Sequence, residues 1–327
     1  MFVLNGPEHP VQALAFAPNS ASLYVVHGYV GVHAWNLTER SGRGLEIVGW
    51  RIFGEFAIHP GGRWAFGRCV GSDQPLHRST SCLLDLNTGR AEPFNFIGVV
   101  GQHIAISRDG ACIVTIGHSD DDKDRPVKTR TDRLYGWKVT ATGPEYAWHL
   151  DTPEEAKPWR IVFAGSDTLV TEDWIPDGPN VLGTPPTKPR LCICSALTGE
   201  PRQIIDSPNP YVEQLLSSPD GKQVVVRRGT MLWVYDSADW KKPPAIVAGA
   251  HKNFLDPRAA AFHPSGHYLL LANNGPSVIV FDTKTWEQVH KWKWNIGVLR
   301  TVVVSPDGTL AAAAGPRGTV VVWDLDL

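Results

Sequence analysis

The sequence has no run of about 18 consecutive apolar residues, so no segment reads as a membrane-spanning helix. It has no excess of either charge. Its 31 Lys and Arg stand against 33 Asp and Glu, a net charge of −2, which argues against a broad basic face that grips nucleic acid or a membrane surface. The N-terminus, MFVLNGPEHP, lacks the basic start and long apolar stretch of a secretory signal. Cysteine is scarce and odd in number: Cys69, Cys82, Cys112, Cys192 and Cys194. Cys192 and Cys194 share one face of a strand, but their spacing is neither a Cys-x-x-Cys redox pair nor a zinc knuckle. The five read as free thiols packed as small hydrophobes in a reducing cytoplasm. Phosphate loop, dinucleotide fingerprint, G-x-S-x-G and H-E-x-x-H are all missing, so no cofactor, metal or catalytic residue is assigned.

Turn formers are abundant. Glycine (31) and proline (26) together make up about 17% of the 327 residues, which argues against long helices, and the 43% apolar fraction suffices for a core. The decisive feature is a repeat: an apolar run, a turn of the Ser-Pro-Asp-Gly type, then a second apolar run. Copies begin at Ala13, Phe56, Ile104, Ile161, Leu215, Ala260 and Val302. Their turns fall at Pro18, Pro60, Arg108, Gly165, Pro219, Pro264 and Pro306, spaced 42 to 57 residues apart with a mean of 48. Each copy adds a third apolar run, such as VHAWNL, LWVYDS, VIVFDT or VVVWDL, and most add a weaker fourth. Four short strands joined by tight turns make one antiparallel blade.

These residues resemble the WD40 family of propellers over essentially the whole chain. Trp323-Asp324 is a strict Trp-Asp, and Tyr235-Asp236, Phe281-Asp282 and Leu84-Asp85 are near copies. The chain departs from the family at the Gly-His pair, where the nearest match is Gly249-Ala250-His251. The resemblance implies an all-β, seven-bladed β-propeller of four-stranded antiparallel blades, one domain over residues 1–327. Phe2-Val3-Leu4 precedes the first copy, and the last copy stops after three strands. The N-terminal strand is therefore expected to complete blade seven beside VVVWDL, which removes an exposed edge.

Two surfaces are candidates for a site. Loops between second and third strands are expected to be short in blades one, five, six and seven. They are expected to be long in blades two (Val70–Ser79), three (His118–Arg133) and four (Trp174–Arg190). In blade three Asp120, Asp122 and Asp124 alternate as in a calcium loop, but Arg125 stands where glycine is required, so a charge-paired partner-binding loop is the reading. In blade four, Trp174 opens a proline-rich loop. The second surface is the mouth of the channel. Six residues before each turn lie Gln12, Gly54, Gln102, Trp159, Glu213, Arg258 and Arg300, with Glu55, His103 and Arg160 next to them. Arginines beside a tryptophan suit capture of a carboxylate, phosphate or acidic peptide.

The expected function is a non-enzymatic scaffold that binds a protein or peptide through Gln12, Gln102, Trp159, Arg160, Glu213, Arg258, Arg300, Asp120, Asp122 and Trp174. Nucleic acid and membrane are not expected partners. One alternative is a lactonase- or lyase-like propeller enzyme with Glu55, His103 and Glu213 as acid–base groups at the mouth. Another is a structural subunit of a larger assembly.

Overall fold

The computed structural model describes the chain apart from residues 29, 46, 48–49, 72–79, 94–103, 119–131, 152–156, 177–186, 208–211, 229–230, 248–256 and 274. Within strands it also leaves out the side chains of 53, 55, 80, 93, 118, 132, 157, 159, 174, 176, 187, 228, 257, 258 and 273.

An N-terminal strand, β1 (Phe2–Asn5), is followed by blade one: β2 (Val11–Phe16), β3 (Ser22–His27), β4 (Gly31–Asn36) and β5 (Ser41–Gly44). Blade two holds β6 (Trp50–Ile58), β7 (Trp64–Gly71), β8 (Thr80–Asp85) and β9 (Ala91–Pro93). Blade three holds β10 (Ile104–Ile106), β11 (Cys112–His118), β12 (Asp132–Thr140) and β13 (Gly143–Asp151). Blade four follows with β14 (Lys157–Phe163), β15 (Thr168–Pro176), β16 (Thr187–Ser195) and β17 (Pro201–Asp206). Blade five is β18 (Gln214–Ser217), β19 (Gln223–Arg228), β20 (Met231–Asp236) and β21 (Ala245–Val247). Blade six is β22 (Pro257–Phe262), β23 (Tyr268–Asn273), β24 (Ser277–Asp282) and β25 (Gln288–Lys293). Blade seven takes β26 (Thr301–Val304), β27 (Leu310–Ala314) and β28 (Thr319–Asp324) from the C-terminus, and its fourth strand is β1. Seven four-stranded antiparallel sheets are the blades of a seven-bladed β-propeller. The expected closure is present. Phe2, Val3, Leu4 and Asn5 pair antiparallel with Val322, Val321, Val320 and Thr319.

The repeated turn works through its serine and aspartate. In blades three, five and seven the Ser107, Ser218 and Ser305 hydroxyls donate to Asp109, Asp220 and Asp307 at 2.6, 2.7 and 2.6 Å. Each hydroxyl oxygen also accepts the backbone N–H of the first residue past the turn, Cys112, Gln223 or Leu310, at 2.9 Å. The glycine that closes the turn at Gly308 has φ 77°, a region that a Cβ makes costly. These hydrogen bonds hold the Asp109 and Asp220 carboxyls below the usual carboxylate range, the serine hydroxyl contributing most.

The eroded Trp-Asp signature has a local physical role too. Asp85 and Asp282 accept backbone N–H groups of the following turn, from Asn87 and Thr88 and from Lys284 and Thr285. Asn36 does the same for Thr38 and Glu39 in blade one. The carboxylate or amide caps the turn between third and fourth strands. Trp286 occupies the left-handed position of this turn in blade six (φ 58°), where blades two and four have glycine. An aromatic residue there costs about 1 kcal/mol or more of backbone strain.

The chain divides into two compact units. Unit one is Met1–Glu92, Gly229–Leu232 and Ile246–Leu327; unit two is Pro93–Arg228 and Trp233–Ala245. In unit one the first strands of blades six, seven, one and two (β22, β26, β2, β6) are neighbours in that order. The core between blades seven and one joins Leu4, Val320 and Val322 to Leu14, Leu23 and Val25, all nearly or fully buried. In unit two, Ala105, Val114 and Ile116 of blade three pack on Ile161, Leu169, Cys192 and Cys194 of blade four. Trp137 is fully buried and Trp323 nearly so, as expected for residues that close third strands, whereas Trp35 is half-buried. All five cysteines are free thiols, and Cys192 and Cys194 stand 3.4 Å apart on one face.

Candidate functional site

The row of positions picked six residues before each turn coincides with a backbone irregularity. Pairing of the first two strands shifts register between Val11 and Ala13, Phe53 and Phe56, Pro158 and Arg160, and Pro257 and Ala259. Gln12, Gly54 with Glu55, Trp159 and Arg258 are therefore bulge residues. A bulge breaks the in–out alternation and re-aims a side chain, a device common at rims and next to sites. In blades five and seven Glu213 and Arg300 immediately precede the first strand. Their N–H groups donate to Arg227 and Ala314 carbonyls at 2.8 Å.

Unit one carries four of these positions on four neighbouring strands: Arg258, Arg300, Gln12 and Gly54. The Gln12 Oε1 accepts the Gly54 N–H at 2.7 Å, which ties blade one to blade two. Arg300 is exposed, and its guanidinium has no hydrogen bond or ion pair among the described residues. The Arg258 backbone lies at its bulge; its side chain is outside the described residues.

Unit two treats the equivalent residues differently. The Arg160 Nε donates to the Val212 carbonyl at 3.1 Å, and the Val212 N–H donates to Glu172 Oε1 at 3.3 Å. Arg160 and Glu172 pair across β14 and β15, so their side chains share a face, and Glu172 is fully buried. Glu213 is bound by the buried Arg227, Nη1 to Oε2 at 2.5 Å, and Arg227 also donates to Gln214 at 3.2 Å. On the opposite face of β15, the Thr171 hydroxyl donates to Asp173 at 2.8 Å, and Arg190 lies 3.6 Å from the same carboxylate. Burial pushes the Asp173 carboxyl up, against the pull of Thr171 and Arg190. Buried charge in this unit is held by partners, as desolvation demands.

Blade four corrects the expected loop there. β15 runs to Pro176 and β16 starts at Thr187, and Trp174 pairs with Pro189, so Trp174 lies in a ladder rather than opening a loop. Extending the hairpin satisfies backbone groups that a loop would leave to water. Gln102, His103, Asp120, Asp122 and Asp124 lie outside the described residues, as do the side chains of Trp159, Trp174 and Glu55. Sequence reasoning missed Glu172, Arg227 and Arg190. Their only signal is charge beside an apolar run: Glu172-Asp173 in LVTED, Arg227-Arg228 in VVVRR and Arg190 in PRLCIC.

The fold and these positions define a propeller built from seven blades, with polar groups at the starts of its first strands. No family model matches the chain. It is similar in structure to a chain of hydrazine synthase from Kuenenia stuttgartiensis, with TM-score 0.69, 14% identity and 99% and 96% of the two chains covered. It is also similar to the β-propeller domain of Cps50 (Swd1) from Myceliophteria thermophila, with TM-score 0.71, 15% identity and 98% of each chain covered. The likeness to WD40 propellers thus holds at the level of the fold, and a fold carries no chemistry by itself. In sequence, 115 residues are 24% identical to serine-threonine kinase receptor-associated protein of Rattus norvegicus, Mus musculus and Homo sapiens. That match takes in 35% of this chain and spans 31% of the length of those relatives.

Proposed function

We propose that this chain is a protein-interaction scaffold that takes an acidic segment of a partner on the first-strand row of unit one. The exposed guanidinium of Arg300, which has no partner among the described residues, carries the reading. It sits at the start of β26, between the Arg258 bulge on β22 and the Gln12 bulge on β2. Two arginines on neighbouring strands suit bidentate recognition of carboxylates, and neutral Gln12 adds an amide without opposing charge. The rigid blades behind them lower the ordering cost of binding. The name of the relatives matched in sequence describes a protein that associates with a receptor, which agrees with an interaction role. Glu213, the described acid–base candidate of the enzyme alternative, has its carboxylate bound to Arg227, and this weakens its case as a free base.

The test is affinity purification with mass spectrometry on the wild type and on an Arg258→Glu/Arg300→Glu variant. Partners recovered with the wild type are expected to disappear from the variant while its melting temperature stays within about 2 °C. Full recovery of the same partners by the variant would move the site off this row.

A further inference from the structure

His27 ends β3, and its side chain is fully buried. Val25 pairs with His33 across β3 and β4, so Val25, His27 and His33 share one face of blade one. Val25 is packed with Leu4 of β1 and with Val320 and Val322 of β28, so this face is the seam against the closing strand. Gly6, just past β1, runs directly over the imidazole: a Cβ there would lie 2.7 Å from His27 Cε1 and Nε2. The His33 ring stands edge-on to His27, with centroids 5.0 Å apart and planes at 85°.

The polar atoms of this pair are poorly served. His27 Nδ1 lies 3.4 Å from the His9 carbonyl oxygen, a long contact. His27 Nε2 and His33 Nδ1 are buried and make no hydrogen bond among the described residues. The charged or titratable groups on the segments packed here are few. They are Tyr24 on the other face of β3, His33 on β4, His9 and exposed Glu8 ahead of β2, exposed Arg317 in the turn between β27 and β28, and Asp324 at the end of β28, which is paired with the Met1 ammonium at 3.2 Å. Among the described residues no carboxylate makes an ion pair with either ring.

We infer that the His27–His33 pair is an acid-sensitive latch on ring closure: neutral imidazoles let β1 lie against blade one, and protonation loosens it. A proton on His27 would place a cation in an apolar seam with another histidine beside it and no counter-charge among the described residues. Burial holds His27 below its ordinary 6.5; the His9 carbonyl pulls it back up, and His33 and His9 lower it further. Burial also lowers His33. Between its folded pKa and 6.5 the unfolded chain binds the proton more readily. The stabilisation is therefore complete above pH 6.5 and is lost as pH falls below it. Each such histidine lowers the folding equilibrium constant about tenfold per pH unit in that window.

Hydrogen exchange of the full chain at pH 7.5 and 5.5, corrected for intrinsic rates, reads this directly. Peptides over Phe2–Asn5 and Thr319–Asp324 are expected to lose protection at pH 5.5, by up to about tenfold for each histidine. A peptide over Tyr268–Asp282 of blade six should change far less. In a His27→Gln/His33→Gln variant the pH effect on β1 should vanish. Equal protection of β1 at both pH values, or a loss that persists in the double variant, overturns the latch. If the double variant does not fold, an NMR titration of the wild-type imidazoles decides. A His27 midpoint below 6.5 supports the latch, and one at or above 6.5 overturns it.

Discussion

The first strands of unit one and unit two begin with the same kind of residue and use it in opposite ways. In unit two, Arg160 and Glu213 are absorbed: Arg160 by the Val212 carbonyl, which stands beside buried Glu172, and Glu213 by buried Arg227. In unit one, Arg300 is exposed with no side-chain partner among the described residues, and Gln12 uses its carbonyl to accept the Gly54 N–H. A charged residue at a strand start is thus structural where the facing strand of its own blade supplies a buried counterpart. Where none is supplied among the described residues, it is the residue we propose for partner binding. Position in the repeat does not separate the two cases; the chemistry of the facing strand does.

The largest expected effect breaks the closure of unit one. Deleting residues 1–5 removes β1, exposes the edge of β28 and loses the burial of Leu4, so the melting temperature should fall by about 5 °C or more. An unchanged melt would show that β1 does not close the blade. Next, Glu172→Leu should cost about 1–3 kcal/mol in chemical denaturation, because the Val212 N–H loses its buried acceptor. Partner capture should survive that change. A full loss of capture with intact stability would place unit two in the site instead.

Acid separates the two units more finely. The loss from His27 and His33 begins below pH 6.5, whereas the turn aspartates Asp109 and Asp220, held low by their hydrogen bonds, keep their contribution down to the carboxylate range. For these acids the folded pKa lies below the unfolded one, so their stabilisation is present above about pH 4 and lost below it. Acid unfolding followed by intrinsic fluorescence should show two separable falls, the first absent from His27→Gln/His33→Gln. The smallest effect is at Trp286, where glycine should raise stability by up to about 1 kcal/mol by relieving the left-handed backbone. Destabilisation instead would show that the ring packs for more than the strain it costs.

Much of the fold was legible because the repeat encodes it locally. Ser305, Asp307 and Gly308 specify their turn by their own hydrogen bonds, and the alternation in VVVSPDGTLAAAA specifies both flanking strands. The closing strand was legible for a different reason: the last copy lacks a fourth run and the N-terminus supplies a spare one. The site was legible only as a set of positions. Counting six residues back from each turn found the bulges at Gln12, Trp159 and Arg258, but nothing in the count shows that Glu213 meets Arg227 across β18 and β19. The partners Glu172, Arg227 and Arg190 sit on second and third strands, where charge beside an apolar run reads as a flaw in the pattern. His27 escaped notice for the same reason, since its neighbours Gly6 and His33 come together only through closure and hairpin pairing.

The most direct test of the division between the units is a side-by-side capture experiment with three proteins: wild type, Arg258→Glu/Arg300→Glu, and Arg160→Met. The double variant is expected to keep its melting temperature and lose the wild-type partners. Arg160→Met is expected to keep the partners and melt lower, because the Val212 carbonyl loses its donor. The reverse outcome, partners lost with Arg160→Met and kept by the arginine double variant, would contradict that division.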